Sequence, residues 1–223
     1  DVTFEAGSGL TLIGDYAFEN CENLTIFAMP DSVENIGIGA FNDCEKLASV
    51  TISKNSHLQD IGEFAFSKTA WLRDYDGIAV LNGIAIGFGE IYVANGLASE
   101  ITIDDLNGVI KIAPFAFYGV YGLTNVEIPD SVIMIGKNAF ADNKNLTSVT
   151  FKRASELNTE VFNQCVNLQS IYILSDSVSL VSEMLSILSQ EDIENLTVYI
   201  KEEVHLALSQ EIELLDLTVE IVS

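Results

Sequence analysis

Apolar side chains recur along this chain on two periods, one local and one long. Locally, Phe27 and Met29, Val50 and Ile52, Val126 and Ile128, Val149 and Phe151, and Ile171 and Ile173 stand two apart. That spacing places each pair on one face of a short strand. On the long scale, Ile13-Gly14-Asp15-Tyr16-Ala17-Phe18 returns as Ile36-Gly37-Ile38-Gly39-Ala40-Phe41 and as Ile61-Gly62-Glu63-Phe64-Ala65-Phe66. It returns again as Ile112-Ala113-Pro114-Phe115-Ala116-Phe117 and Ile135-Gly136-Lys137-Asn138-Ala139-Phe140, with Leu157-Asn158-Thr159-Glu160-Val161-Phe162 as a degenerate sixth copy. Successive Phe residues are 23, 25, 51, 23 and 22 positions apart, and six residues after each stands Leu24, Leu47, Leu72, Leu123, Leu146 or Leu168.

Each unit reads as strand, turn, Ile-Gly-x-x-Ala-Phe corner and return. Pro30-Asp31-Ser32 and Pro129-Asp130-Ser131 end strands, because Pro cannot donate to a ladder. One such unit cannot bury its own apolar side, but stacked units can, which predicts a solenoid whose strands form one parallel sheet. The Ala slot must stay small where the chain turns over the core, and the Phe slot fills the interior. Gly14, Gly37, Gly62 and Gly136 imply a backbone conformation or a close approach that a side chain would block.

The 51-residue interval exceeds a normal unit by 28 residues. The excess falls at about 73–100, and the coil resumes at Ile101-Thr102-Ile103. Within it, Asn82-Gly83 separates Ile78–Leu81 from Ile84–Ile86, a strong hairpin signal that predicts a hairpin projecting from the coil. Val2-Thr3-Phe4 resembles the strand Val149-Thr150-Phe151, so the chain is expected to open inside a coil, with sequence upstream. Beyond Leu174 the repeat decays. A helix is predicted over Val178–Leu188, strands at Leu196–Ile200 and Leu217–Ile221, and a helix at about Glu202–Leu214 between them. The expected organisation is a single domain over 1–223. Regular coils occupy about 1–174, and an irregular closing cap about 175–223.

Composition narrows the function. The chain has 223 residues, 33 acidic and 10 basic, for a net charge of −23. Too few cations are available to grip phosphate, which argues against nucleic acid and anionic membranes. Hydrophobic residues make up 48%, enough for a core, yet no apolar run is long enough to span a bilayer as a helix. Residues 175–223 hold 11 acids and 1 base, whereas 112–174 hold 5 and 4.

No catalytic, cofactor-binding or metal-binding residues emerge. His57 and His205 are the two His and have no stacking reason to meet, so neither serves a Cys–His or Ser–His–Asp arrangement. No phosphate loop or zinc spacing is present. Cys21, Cys44 and Cys165 follow three residues after a Phe, a slot held elsewhere by Val120 and Asn143, and read as small buried hydrophobes. A disulfide between Cys21 and Cys44 is the lesser alternative. Adjacent acids such as Asp104-Asp105, Glu191-Asp192 and Glu202-Glu203 read as solvated charge. Asn-Leu-Thr at 23, 145 and 195 matches a glycosylation sequon, but the repeat itself explains the first two.

The pattern Ile-Gly-x-x-Ala-Phe-x-x-Cys-x-x-Leu-x-x-Val-x-Ile-Pro-x-Ser-Val resembles the BspA-like leucine-rich repeat family of bacterial surface proteins. The segments Ile13–Pro30, Ile36–Ser53 and Ile135–Lys152 carry the likeness most closely, and it extends over about 1–174. The resemblance implies an α/β fold: a right-handed leucine-rich repeat solenoid, with the hairpin insertion and cap already placed, secreted or displayed on a bacterial cell. It implies a non-enzymatic binding and adhesion module without cofactor, whose partner is a protein or glycoprotein such as a host matrix component. Two other readings remain: a purely structural surface spacer, and a calcium-stabilised acidic surface domain. The outward strand positions supply the candidate interaction face: Ser49, Thr51, Asn125, Glu127, Ser148, Thr150, Ser170 and Tyr172.

Overall fold

The computed structural model of the protein describes residues 2–5, 7–89, 93–96, 98–102, 104–153, 155–191, 193, 195–215 and 217–222. The chain winds as a stack of coils, and each coil contributes to two ladders and a ridge. The main ladder is built of three- to five-residue strands: β2 (Ile26–Ala28), β4 (Ser49–Thr51), β10 (Asn125–Ile128), β12 (Ser148–Phe151) and β14 (Ser170–Ile173). The second is built of two-residue strands: β1 (Leu12–Ile13), β3 (Asn35–Ile36), β5 (Asp60–Ile61), β9 (Lys111–Ile112), β11 (Met134–Ile135) and β13 (Glu156–Leu157). Pairing between coils is parallel and in register, with Val126 opposite Val149 and Val149 opposite Ile171. The period of two therefore delivers every inward side chain to one continuous core.

The ridge joins the second ladder back to the main one and carries the Phe column. Phe18 stacks on Phe41 at 5.2 Å and Phe41 on Phe66 at 5.1 Å, each pair within 6° of parallel. Phe117, Phe140 and Phe162 continue the column at 5.2 and 5.8 Å. Ridge amides donate across to the next coil: Phe18 N–H to Ala40 O, Phe41 N–H to Ala65 O, Phe117 N–H to Ala139 O and Phe140 N–H to Val161 O, all at 2.7–3.0 Å. Two residues of each ridge adopt a left-handed backbone, at the positions two before and two after the Phe. Tyr16, Phe64, Phe115, Asn138 and Glu160 hold the first at φ 55–61°, with Gly39 at 57°. Each such non-glycine residue costs about 1–2 kcal/mol, and the cross-coil hydrogen bonds hold it there.

Gly37, Gly62 and Gly136 serve close approach, not left-handed geometry. A Cβ on Gly62 would lie 2.6 Å from Gly37 C and Ile38 N of the preceding coil. Gly136 meets Pro114 in the same way, at 2.5 Å. Gly14 belongs to the first ridge, and a Cβ there would meet nothing within 4 Å.

The insertion departs from expectation. A helical turn, α1 (Ala70–Arg73), takes Leu72 in place of the third return, and leads into the hairpin β6 (Ile78–Leu81) and β7 (Ile84–Phe88). The turn is Asn82-Gly83, both at positive φ, as a tight hairpin requires. The hairpin does not project. β7 pairs parallel with β9, Ile84 opposite Lys111 and Ala85 opposite Ile112, so it is laid into the stack as a rung. The reason is burial: Ala79, Leu81, Ile84 and Ala85 are all 4% exposed or less, and projection would put them in water. Phe88 then packs edge-on to Phe117 at 5.3 Å, and Trp71 edge-on to Phe66 at 5.1 Å, closing the gap in the Phe column.

The rung also corrects the expectation of one parallel sheet. The main ladder divides into β2-β4 and a six-stranded sheet that starts at β8 (Glu100–Ile101). The second ladder divides into β1-β3-β5 and β13-β11-β9-β7-β6. The coil resumes at Ile101 as expected, within β8, and Ile103 lies outside the described residues. Val2-Thr3-Phe4 forms no strand, although Phe4 packs edge-on to Phe27 at 5.6 Å.

At the other end, α2 (Val178–Leu188) buries Val181, Met184, Leu185 and Leu188. The main ladder continues as β15 (Thr197–Lys201) and β16 (Thr218–Val222). The single helix expected between them breaks into α3 (Glu202–Ala207) and α4 (Ser209–Ile212), because Leu208 turns inward to a buried position at φ −103°. Glu191, expected among the solvated acids, is drawn into the fold. Its carboxylate lies by the Val161 and Phe162 amides, which have no further ridge to meet, and its Oε1 is buried without a hydrogen-bond partner. Burial pushes the Glu191 carboxyl above its ordinary value of 4.5, against the opposing pull of those two amides.

Two outcomes follow from this packing. Gly62→Ala should lower stability by about 1–3 kcal/mol, the usual cost of overpacking. Gly14→Ala should change it by under about 0.5 kcal/mol; denaturation midpoints of the two variants check the contrast. Glu191 has a raised folded pKa, so its stabilising contribution is complete below the unfolded value and is lost as pH rises through the folded one. The Tm of wild type, measured relative to Glu191→Gln, should therefore fall between pH 4 and pH 7. A difference that stays flat or rises would refute the assignment.

Candidate functional site

The six-stranded sheet β8-β10-β12-β14-β15-β16 presents one face to the core and the other outward. Strand register sorts the outward side chains into two columns. The first runs Glu100, Asn125, Ser148, Ser170, Thr197, Thr218. The second runs Glu127, Thr150, Tyr172, Tyr199, Glu220. Six of the eight expected face residues thus share one surface. Ser49 and Thr51 do not join it. They lie on β4, which pairs only with β2 among the described strands.

The first column is tied together by hydrogen bonds. Ser148 Oγ donates to Asn125 Oδ1 at 2.8 Å, and Asn125 Nδ2 donates to Thr124 Oγ1 at 3.2 Å and reaches Glu100 Oε1 at 3.5 Å. The second column is dominated by Tyr172 and Tyr199, whose rings stack at 4.7 Å and 11°. That distance is the strand spacing, so the two rings stack face to face from adjacent rungs. Burial pushes the Tyr199 phenol above its ordinary value, and neighbouring Glu220 adds to the shift.

Beside Tyr199 lies an open groove of about 570 Å³, lined by Val166, Asn167, Gln169, Ser170, Asn195, Thr197 and Tyr199. Its polar groups are amides and hydroxyls, with no charged side chain among them. Sequence reasoning did not name Tyr199, Thr197 or the three amides. Aligning Thr197-Val198-Tyr199-Ile200 with Ser170-Ile171-Tyr172-Ile173 would have found Tyr199 and Thr197. Asn167 and Asn195 stand just before Leu168 and Leu196, as Asn145 stands before Leu146, so the same alignment would have found them, and Gln169 alone carries no such signal.

The remaining candidates take structural roles. Cys21, Cys44 and Cys165 are free thiols. Cys44 Sγ meets Phe18 O at 2.9 Å, and Cys165 Sγ meets Phe140 O at 3.1 Å. In the same slot Asn143 Nδ2 donates to Phe117 O and Phe140 O, and Thr69 Oγ1 donates to Phe66 O. The slot is buried at Cys44, Thr69, Val120, Asn143 and Cys165 and half-buried at Cys21, and at every buried copy but Val120 it supplies a donor to ridge carbonyls. Desolvation pushes the Cys165 thiol up to about 12, so it is held as the thiol, with little of the nucleophilic thiolate.

Asp105 Oδ2 accepts from Thr102 N–H and Oγ1, which makes it a turn cap. Asn145 Nδ2 donates to Tyr121 O, which occupies that sequon's amide. Among the described residues, no three His, Cys, Asp or Glu side chains converge as they would around a metal, and no helix is long and apolar enough to cross a membrane.

The sequence matches the family described as BspA type leucine rich repeat region, in six copies over residues 2–82 and 93–203. No curated protein matches it significantly. Among solved structures, it is similar to a leucine-rich repeat protein of T. pallidum, at 22% identity and TM-score 0.40, covering 86% of this chain and 82% of that one. A leucine-rich cell surface protein from Faecalibacterium prausnitzii A2-165 gives 22% identity and TM-score 0.45, with 94% of this chain covered. The chain spans less than two thirds of that protein, 63% of its length. The pneumococcal vaccine antigen PcpA gives 16% identity and TM-score 0.33, covering 98% and 72% of the two chains.

Proposed function

This chain belongs to the BspA-type leucine-rich repeat family, and on that premise we propose that it is a non-enzymatic binding module of an exported bacterial protein, acting at the cell surface as an adhesin or scaffold. Repeats of this type are generally protein-interaction modules. The observation that carries the reading is the outward face of the six-stranded sheet. It is extended and weakly charged, and it places a rigid tyrosine pair beside an amide-lined groove. Tyrosine brings large contact area at low entropic cost, and it is enriched where interfaces hold their binding energy. Small Ser and Thr neighbours let a partner backbone approach closely. A protein or glycoprotein ligand suits this face, because amides and hydroxyls match peptide and sugar groups alike.

The test is binding of the purified chain to matrix proteins, mucin and whole bacterial cells at micromolar concentration. Wild type is compared with Tyr172→Ala/Tyr199→Ala and with Thr150→Arg. Both variants should keep the wild-type circular dichroism spectrum and lose at least about tenfold in affinity, equivalent to about 1.4 kcal/mol. Absence of any binding by wild type would remove the adhesin reading. Binding that survives both variants would leave this face inert and put the ligand on another surface of the chain.

A further inference from the structure

The third and fourth ridges do not join as their neighbours do. Gly39 and Phe41 N–H of the second ridge donate to Glu63 O and Ala65 O of the third, and Phe115 and Phe117 N–H of the fourth donate to Lys137 O and Ala139 O of the fifth. The same register would carry Phe64 and Phe66 N–H of the third ridge to Pro114 O and Ala116 O of the fourth. Among the described residues, neither amide meets an acceptor and neither carbonyl meets a donor. The inserted β7 contacts both β5 and β9, so it separates the coils that carry these two ridges. Between the ridges lies a cavity of about 130 Å³, with Ile86 and Phe88 of β7 also in its wall.

Phe64 and Phe115 both line the cavity, and their rings meet at 4.5 Å. Both residues are held at left-handed φ, 55° and 59°, a conformation that is costly for an aromatic residue. Other ridges place Gly39 and Asn138 at this position. Phe64 is 47% exposed, and so is Tyr118 to 48%, with its ring 5.5 Å from that of Phe115. Burial explains neither the strained backbone nor the exposed rings, and strain of this kind collects at ligand sites. The lining restricts the occupant. No charged side chain is in it among the described residues, so the bound group is neutral. Gly87 lies against Ala116 O, which leaves Phe64 N–H on one wall and Pro114 O on the other as the open pair. A trans secondary amide suits such a pair, because its C=O and N–H point in opposite directions. An amide within a peptide carries a chain on both sides. A terminal acetamide carries only a methyl group on one, which a cavity this small can hold.

We propose that this cavity binds the acetamido group of an N-acetylhexosamine in a glycan. The acetamido carbonyl accepts from Phe64 N–H, its N–H donates to Pro114 O, and its methyl group enters among Leu72, Ile86 and Phe88. The pyranose ring stays at the mouth, with its C–H face against the exposed rings of Phe64 and Tyr118. An aromatic face is electron-rich and attracts such C–H groups. A sugar seated there also accounts for aromatic residues in a slot that elsewhere takes Gly39 and Asn138. The site is separate from the outward face bearing Tyr172 and does not depend on it.

The probe is the β-1,4-linked trimer of N-acetylglucosamine, titrated into the whole chain by calorimetry and by amide NMR. The glucose trimer of the same linkage removes the acetamide, and a capped peptide containing acetyl-lysine supplies it from a polypeptide. The acetylated trimer should bind, shift the Phe64 amide resonance, and keep its affinity at high salt, since the contacts carry no charge. The glucose trimer should bind at least about tenfold more weakly. Phe64→Asn and Tyr118→Ala should each weaken the acetylated trimer about tenfold with an unchanged circular dichroism spectrum. Asn already holds the same backbone position at Asn138, and Tyr118 is exposed. Tyr172→Ala/Tyr199→Ala should leave this binding unchanged, which separates it from the outward-face reading. No binding of the acetylated trimer, equal binding of the glucose trimer, tighter binding of the acetyl-lysine peptide, full affinity in both variants, or resonance shifts confined to the outward face would each overturn the proposal.

Discussion

No coil of this protein can satisfy its own backbone. The ridge that returns each coil to the main ladder bends through two left-handed residues, and its amides point along the stack at the next coil's carbonyls. A buried amide without a partner is costly, so each ridge fixes the position of the one after it. The Phe column, the glycine contacts and the in-register ladders follow from that spacing. Rings from successive ridges land 5.1–5.8 Å apart because their backbones are already locked together. Gly62 has no Cβ because the coil before it occupies the space.

The insertion shows how strong this constraint is. A free hairpin could point anywhere, but this one carries Leu81, Ile84 and Ala85 at an inward spacing, and β9 offers a parallel edge that would otherwise be unpaired. Laying β7 onto β9 satisfies both demands. Because β6 runs antiparallel, the sheets are divided at this point. Interactions then bridge the seam: Lys111 Nζ reaches Asp60 at 2.7 Å and Gln59 O at 3.0 Å, and Asn82 Nδ2 donates to Leu58 O at 2.6 Å. Phe64 and Phe115, 51 residues apart, touch with ring centroids 4.5 Å apart.

The repeated parts were legible in the sequence because repetition makes one inference serve six times. The Ile, Phe and Leu slots, the strand periods and the Asn-Gly turn all appear where the pattern puts them. What escaped notice was what occurs once. Glu191 looked like one acid among eleven, and its role depends on the last ridge lacking a successor. The left-handed positions hold Tyr, Phe, Asn, Asp, Lys, Glu and Gln as well as Gly, so no residue type marks them. The Ile-Gly glycines pointed to either a special backbone conformation or a close approach, and Gly37, Gly62 and Gly136 prove to serve close approach. On the outward face, Tyr172 was found by register within the repeat. Tyr199 lay just past the point where the repeat decays.

Past the last repeat the ridge and the two ladders are closed unequally, and that inequality bears on how the surface is used. The ridge stops at Phe162, where the Glu191 carboxylate lies by the Val161 and Phe162 amides that a further ridge would have met. The second ladder stops at β13, against which α2 packs. The main ladder runs two rungs further, through β15 to β16, and among the described residues β16 pairs with no other strand. Closing the ridge is compulsory, since its amides are buried. Closing an outer strand edge is not, because water can satisfy it. The extra rungs carry Tyr199, Thr197 and Glu220, so the segment that extends the ladder beyond the repeats also completes the tyrosine pair. The cap is therefore both lid and surface: its helices seal the core, while its strands widen the outward face by two rungs.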